Sequence, residues 1–140
     1  MLYELQKQAG AIPFRIAADG ELEFLLVTSS TTRQWIFPKG DIDPGRDAPA
    51  QAAQEAYEEA GVRGEILLPE VGEWEYMKWG TLHQVRTFLL RVEEVLDDWP
   101  ERDDRERRWV DFRQVPLVQS RVEAQQIVGL AVGRAIHSVH

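Results

Sequence analysis

The sequence predicts an α/β (α+β) fold in which a mixed β-sheet lies between helices, and three observations predict it. Short apolar runs rich in branched and aromatic residues recur with turn signals between them. One of these runs, Leu82 to Val92, is apolar on both of its alternating faces, as a central strand covered on two sides must be. Two helical patterns, one mid-chain and one C-terminal, each carry a stripe of small or branched residues fit to cover a sheet.

In chain order, Ala11 to Ala18 and Glu21 to Thr28 read as a hairpin turned at Asp19-Gly20. Trp35-Ile36-Phe37 reads as a short strand ended by Pro38, followed by a turn-rich segment from Lys39 to Asp47 with Gly40, Pro44 and Gly45. Asp47 is placed as an N-cap with Pro49 in the first turn, and the pattern stays helical to Ala60 before Gly61 stops it, so a helix is expected over residues 48 to 60. Steps of 100° put Ala53, Ala56, Tyr57 and Ala60 on its packing face and Gln51, Glu55, Glu58 and Glu59 opposite. Glu65 to Leu68, Gly72 to Trp79, Leu82 to Val92 and Trp109 to Phe112 complete the strands. The charged stretch from Glu101 to Arg108, four acids mixed with four bases, reads as a solvated loop. Ser120 to Glu123 reads as a capping box opening a helix that buries Ile127, Val128, Ala131 and Ala135.

Composition bounds the function. The chain has 140 residues, 44% of them hydrophobic and 29% charged, which suits one domain over 1–140 with a buried core. A net charge of −8 argues against a protein that lives on nucleic-acid backbone, though a small phosphorylated substrate is compatible if a metal ion supplies positive charge. With no cysteine, disulfide scaffolds, thiolate zinc sites and cysteine nucleophiles are excluded. The opening MLYELQKQAG lacks the apolar core of a secretory leader and no apolar run is long enough to span a bilayer, so the expected location is cytoplasmic, with no membrane partner.

Glu55, Glu58 and Glu59 stand at i, i+3 and i+4, so on a regular helix their carboxylates converge near its C-terminal end. Like-charge repulsion and the helix dipole together penalise this by roughly 1–2 kcal/mol, a cost that an exposed acidic face tolerates. The preceding loop decides the reading, because hard divalent cations take carboxylates, carbonyls and substrate phosphates as ligands, and a carboxylate cluster beside a glycine turn offers them.

From Gly40 the chain reads GDIDPGRDAPAQAAQEAYEEAGV, which resembles the Nudix box: Gly, five residues, Glu, seven residues, then Arg-Glu-apolar-any-Glu-Glu-any-Gly-apolar. Gly40, Glu55, Ala56, Glu58, Glu59, Gly61 and Val62 fit, whereas Arg46 stands in place of the first Glu and Gln54 in place of Arg. More loosely, Trp35 to Gly40, Trp99-Pro100-Glu101 and Arg107-Arg108-Trp109 resemble the branch acting on diphosphoinositol polyphosphates and dinucleoside polyphosphates. The resemblance implies a Nudix-type α/β/α sandwich and a hydrolase using Mg²⁺ or Mn²⁺. Such an enzyme cleaves a diphosphate linkage in a nucleoside diphosphate derivative, dinucleoside polyphosphate or diphosphoinositol polyphosphate by water attack at phosphorus.

On that resemblance Glu58 and Glu59 carry metal, Glu55 is a metal ligand or the base, and the Lys39 carbonyl is a further ligand. A fourth carboxylate is expected from the loop before the last strand, with Glu106 chosen over Glu101 and Asp103. Arg33, Lys39 and Arg86 are the expected phosphate contacts, with His83 as an alternative to Arg86, against the ordinary reading of such residues as exposed or structural. Trp35, Trp74, Trp79 and Trp109 are set to the core rather than to base stacking. Two other readings stand beside the hydrolase. One is a nucleotide-binding or regulatory module in which Arg46 and Gln54 mark lost catalysis. The other is binding of RNA 5′ ends through a basic patch at Arg102, Arg105, Arg107 and Arg108.

Overall fold

The computed structural model describes residues 3–139. Of the opening segment, Met1 and Leu2 lie outside the described residues, and the remainder enters strand β1 (Glu4–Ile16), which is longer than the expected run. It pairs antiparallel with β2 (Leu22–Thr28) through Phe14 and Phe24, and Ala17 and Glu21 close the turn. The loop between them is therefore three residues rather than two, with Gly20 at φ +85°, a backbone that side chains resist.

β3 (Trp35–Ile36) and β4 (Lys39–Asp41) flank Pro38, and helix α1 (Ala48–Glu55) follows. Asp47 caps it, its carboxylate accepting from the Ala50 N–H at 2.9 Å. The expected helix does reach Ala60, but Ala56–Ala60 is a π turn, ended by Gly61 at φ 65°. Beyond it come β5 (Val62–Ile66), β6 (Gly72–Lys78), β7 (Thr81–Val95), β8 (Arg107–Asp111), a short helix α2 (Val115–Val118), one 3₁₀ turn (Val122–Ala124) and α3 (Gln125–Val139). The capping box is not formed: the Ser120 hydroxyl donates to the Trp35 carbonyl at 2.9 Å, because the chain there is still a loop tied to β3.

All eight strands of the described residues join one mixed sheet, ordered β3-β2-β1-β7-β5, with β1 and β7 parallel at its centre. β4 extends the sheet beside the first half of β1, β6 lies beside the first half of β7, and β8 beside β2. Each face has its own core. Phe14, Phe24, Leu26 and Leu89 pack under α3 through Ile127, Val128, Ala131 and Ala135. On the other face Leu25, Val27, Phe88 and Leu90 pack under α1 and the π turn through Ala48, Ala52, Ala56 and Ala60. The architecture is the expected sandwich, with strand alternation along β7 sending Leu89 to one helix layer and Phe88 and Leu90 to the other.

Candidate functional site

The box helix is rotated from its expected packing: Ala56 and Ala60 are in the core as expected, but the buried face extends to residues read as exposed. Gln51, Ala52, Glu55, Ala56, Glu59 and Ala60 are buried, whereas Ala53, Tyr57 and Glu58 are half-buried, so Gln51, Glu55 and Glu59 face inward. The wider π turn stacks Glu59 over Glu55 and swings Glu58 aside. The expected convergence of all three carboxylates is therefore incomplete, and among the described residues no three acidic or histidine side chains meet closely enough to hold a cation.

What remains is a buried acidic pair. Gln51 donates to Glu55 Oε2 at 2.7 Å, and Gln54 donates to Glu58 Oε1 at 2.8 Å. Glu59 is only 4% exposed, and its Oε1 finds no hydrogen-bond partner among the described residues. Burial pushes the Glu59 carboxyl up to about 9, with Arg105 opposing and the Glu55 side chain adding to the rise. Burial also raises Glu55. Gly40 backs directly onto the Glu55 carboxylate, so that a Cβ at residue 40 would occupy the space of that group. This is the physical reason for a glycine there, since its φ does not demand one.

Loop 96–106 and the first residue of β8 hold the end of this helix, and the charged stretch is not solvated as its mixed charge suggests. Loop groups take up carbonyls of the π turn: the Glu101 N–H donates to Glu58 O at 3.0 Å, and Trp99 Nε1 to Glu59 O at 3.1 Å. Arg107 donates to Ala60 O at 3.0 Å and to Leu96 O at 2.7 Å, while its guanidinium lies 3.9 Å from the Trp99 ring centroid. Arg105, its side chain 11% exposed, donates to Thr28 O at 2.9 Å and to Glu101 at 2.7 Å, and lies 3.7 Å from Glu59. The proposed basic patch is thus committed inward at Arg105 and Arg107, and Arg102 pairs with Asp98 at 3.7 Å.

On the other sheet face lies a cluster of opposite sign. Lys39 Nζ donates to the Tyr76 hydroxyl at 2.9 Å, Tyr76 to Gln8 Oε1 at 2.9 Å, and Gln8 to Asp41 at 2.9 Å. Burial, helped by Arg121 and opposed by Glu59, pushes the Lys39 amine down to about 8. Arg121 lies 4.3 Å from the Tyr76 ring centroid, and the His83 ring stacks on Tyr76 at 4.5 Å. Because β4 alternates, Lys39 reaches this cluster while the next residue, Gly40, faces Glu55.

The other expected residues lie elsewhere. Arg33, at φ 60°, donates to Asp104 O at 2.8 Å and pairs at 3.5 Å with Glu106, itself 70% exposed. Of the three loop acids, Glu101 is the one whose charge bears on Glu55 and Glu59. Arg86 is on the α1 side of β7, paired with Glu70 at 2.7 Å. Trp74 and Trp35 pack against the α3 core and Trp109 against the α1 core, whereas Trp79 is 93% exposed and belongs to neither. Sequence reading missed Tyr76 and Arg121, since a lone tyrosine or arginine carries no spacing signal, and it read Arg105 only as part of a basic surface patch.

A Nudix domain model matches residues 6–128, most of the chain. Nudix hydrolase 13, mitochondrial, of Arabidopsis thaliana is 32% identical over 127 residues, covering 76% of this chain and 63% of that protein. Diphosphoinositol polyphosphate phosphohydrolase 2 of Rattus norvegicus is 37% identical over 108 residues, covering 74% and 57%. The chain thus spans about three-fifths of the length of the curated relatives it matches. Among solved structures, the crystal structure of the C. elegans Ap4A hydrolase superposes with a TM-score of 0.76 at 24% identity, covering 94% of this chain and 98% of that one, and shows the shared fold.

Proposed function

The chain belongs to the Nudix family, and from that premise we propose that it hydrolyses a diphosphate linkage in a small phosphorylated substrate with the aid of Mg²⁺ or Mn²⁺. The observation that carries the reading is the buried Glu55–Glu59 pair behind Gly40, with Glu59 Oε1 left without a partner among the described residues. A carboxylate is kept in so dry a place at a cost, and a cation would remove it. The donors are hard oxygens, which fits a hard divalent ion, and Glu55, Glu59 and, by side-chain rotation, Glu58 are the residues that would hold it.

Such an ion, when bound, neutralises phosphate charge and activates water. The chain supplies the rest. Gln51 donates to Glu55 and so orients it, and on this reading Glu55 either binds the ion or accepts a proton from water. Gln54, in the position of the box arginine, holds Glu58 by hydrogen bond without adding charge, and Arg46 donates to Gln51 Oε1 at 3.2 Å, so both replacements work within the helix frame. Lys39 offers its charge to the phosphates. Charge at Arg33, Arg86 and Glu106 acts from further out, since each is already paired.

The relatives' names support dinucleoside polyphosphates or diphosphoinositol polyphosphates as the substrate class, with other nucleoside diphosphate derivatives kept from the family resemblance. No helix among the described residues is long and apolar enough to cross a membrane. The test is phosphate or nucleotide release in excess Mg²⁺ from diadenosine polyphosphates, ADP-ribose, nucleoside triphosphates and diphosphoinositol polyphosphates, beside Glu58→Gln. Turnover of one class that is lost in the variant is expected, and full turnover in the variant would overturn the reading. A second reading, a binding module, is favoured by the incomplete convergence of the three carboxylates. Its signature is thermal stabilisation by ADP-ribose or a nucleotide with no product formed in Mg²⁺.

A further inference from the structure

A protein with a net charge of −8 has acids to spare, yet two cations beside its site are left nearly without them. Among the described residues Lys39 makes no ion pair and Arg121 pairs only with Glu123, at 4.0 Å. Neither is a loose surface side chain. Lys39 is fixed by the hydrogen-bond chain through Tyr76 and Gln8 to Asp41. The backbone of Arg121 is gripped on both sides by one buried glutamine: Gln119 Nε2 donates to Arg121 O at 3.0 Å, and the Arg121 N–H donates to Gln119 Oε1 at 2.6 Å. Two cations held side by side repel, and holding them fixed is sensible only where an anion is to be received.

The aromatic groups here are a floor and not a stacking slot. Tyr76 is 6% exposed, with His83 stacked on it at an interplanar angle of 9° and Arg121 over the ring. The crevice beneath, between Lys39, Trp74, Thr87 and Arg121, has a volume of about 20 Å³, room for one water and not for a base. Outside, Arg121 also borders an open cleft of about 250 Å³ lined by Ser29, Thr31, Thr32, Gln34, Ser120 and one acid, Glu123; its hydroxyl and amide groups suit a hydroxylated, phosphorylated group held at the Arg121 side.

We propose that Lys39 and Arg121 form an anion subsite for a phosphate of the substrate lying beyond the diphosphate that is cleaved. The proposal rests on the hydrolase reading for the word substrate. It makes Arg121 a specificity-determining residue, its planar guanidinium matched to two phosphate oxygens. It also favours substrates with further phosphates, dinucleoside polyphosphates and diphosphoinositol polyphosphates, over ADP-ribose, which has none to place there.

The first experiment needs no turnover: calorimetric titration of metal-free protein with inorganic pyrophosphate. Arg121→Gln should weaken binding about tenfold, the loss typical of one charge-assisted contact, and Arg121→Lys should recover part of it. Equal affinity in Arg121→Gln, with an unchanged melting temperature, overturns the subsite. In Mg²⁺ the same variant should raise KM for diadenosine tetraphosphate or a diphosphoinositol polyphosphate about tenfold while sparing kcat and the KM for ADP-ribose. A loss shared equally by ADP-ribose also overturns it, and whichever phosphorylated substrate responds names the class. If wild-type protein turns over none of them, the hydrolase reading falls while the pyrophosphate titration still decides the subsite.

Discussion

The two faces of the sheet meet at β4 and treat buried charge in opposite ways. On the α1 face, burial drives Glu59 and Glu55 toward their protonated forms. On the α3 face, burial drives Lys39 toward its neutral form. The acids and the amine do not cancel by pairing, since successive residues of β4 point to opposite faces and Lys39 is bound to Tyr76 instead. The difference teaches that the site holds two desolvated ionisable groups of opposite type, an acid pushed toward its protonated form and an amine pushed toward its neutral form, separated by one strand. A cation together with a polyphosphate would satisfy both, and neither alone would.

The largest break in this comparison is on the acidic side. Glu59→Gln keeps the shape and removes the charge, and turnover in Mg²⁺ should fall about 10²-fold or more, read as kcat with the best substrate. Metal titration of the same variant should show weaker Mn²⁺ binding. Unchanged kcat and Mn²⁺ affinity would remove Glu59 from the site.

Gly40→Ala comes next, because its methyl group would press into the Glu55 carboxylate. Overpacking of this kind costs about 1–3 kcal/mol, so a lower denaturant midpoint and reduced turnover are expected together. Loss of stability without loss of turnover would show that Glu55 can move freely.

Arg107→Gln attacks the frame instead of the charges, stripping a donor from the Ala60 and Leu96 carbonyls. The unsatisfied groups should cost about 1–3 kcal/mol, measured by chemical denaturation. If the π turn sets the aim of Glu59, the apparent KM for Mg²⁺ should also rise.

The smallest effect separates the faces by pH. Glu59 has a folded value of about 9, above that of an ordinary carboxylate, so its contribution to stability is full below about pH 4.5 and is lost as pH rises toward 9. Lys39, at about 8 against an ordinary 10.5, gives the reverse: its burial penalty is full below pH 8 and is relieved as pH rises toward 10.5. The melting temperature of metal-free protein should therefore decline through neutral pH. Glu59→Gln should flatten that decline, and Lys39→Met should raise the neutral-pH melting temperature. A melting curve independent of pH between 5 and 9 would contradict the opposed burial of the two faces.

Much of this was legible in the sequence because it depends on local spacing. The Asp47 cap, the Gly61 stop and the C-terminal stripe from Ile127 to Ala135 are near-neighbour patterns, and all appear as read. The inward turn of Gln51, Glu55 and Glu59 was not legible, because hydropathy assigns acids to water and takes no account of a π turn. Nor was the role of the segment from Trp99 to Arg107, whose mixed charge looks like a solvated stretch until its donors are seen to end on helix carbonyls.

The sequence alone determined the family resemblance, the layer order and the carboxylate types at 55, 58 and 59, since these depend on residue identity at fixed separations. Only the tertiary structure decided which carboxylates are dry, which arginines are spent on the frame and that Arg121 lies over Tyr76 beside Lys39. These are contacts between residues as far apart as Lys39, Tyr76 and Arg121, and no local pattern encodes them. They follow from strand pairing and loop closure, which bring distant charges together and remove water from around them.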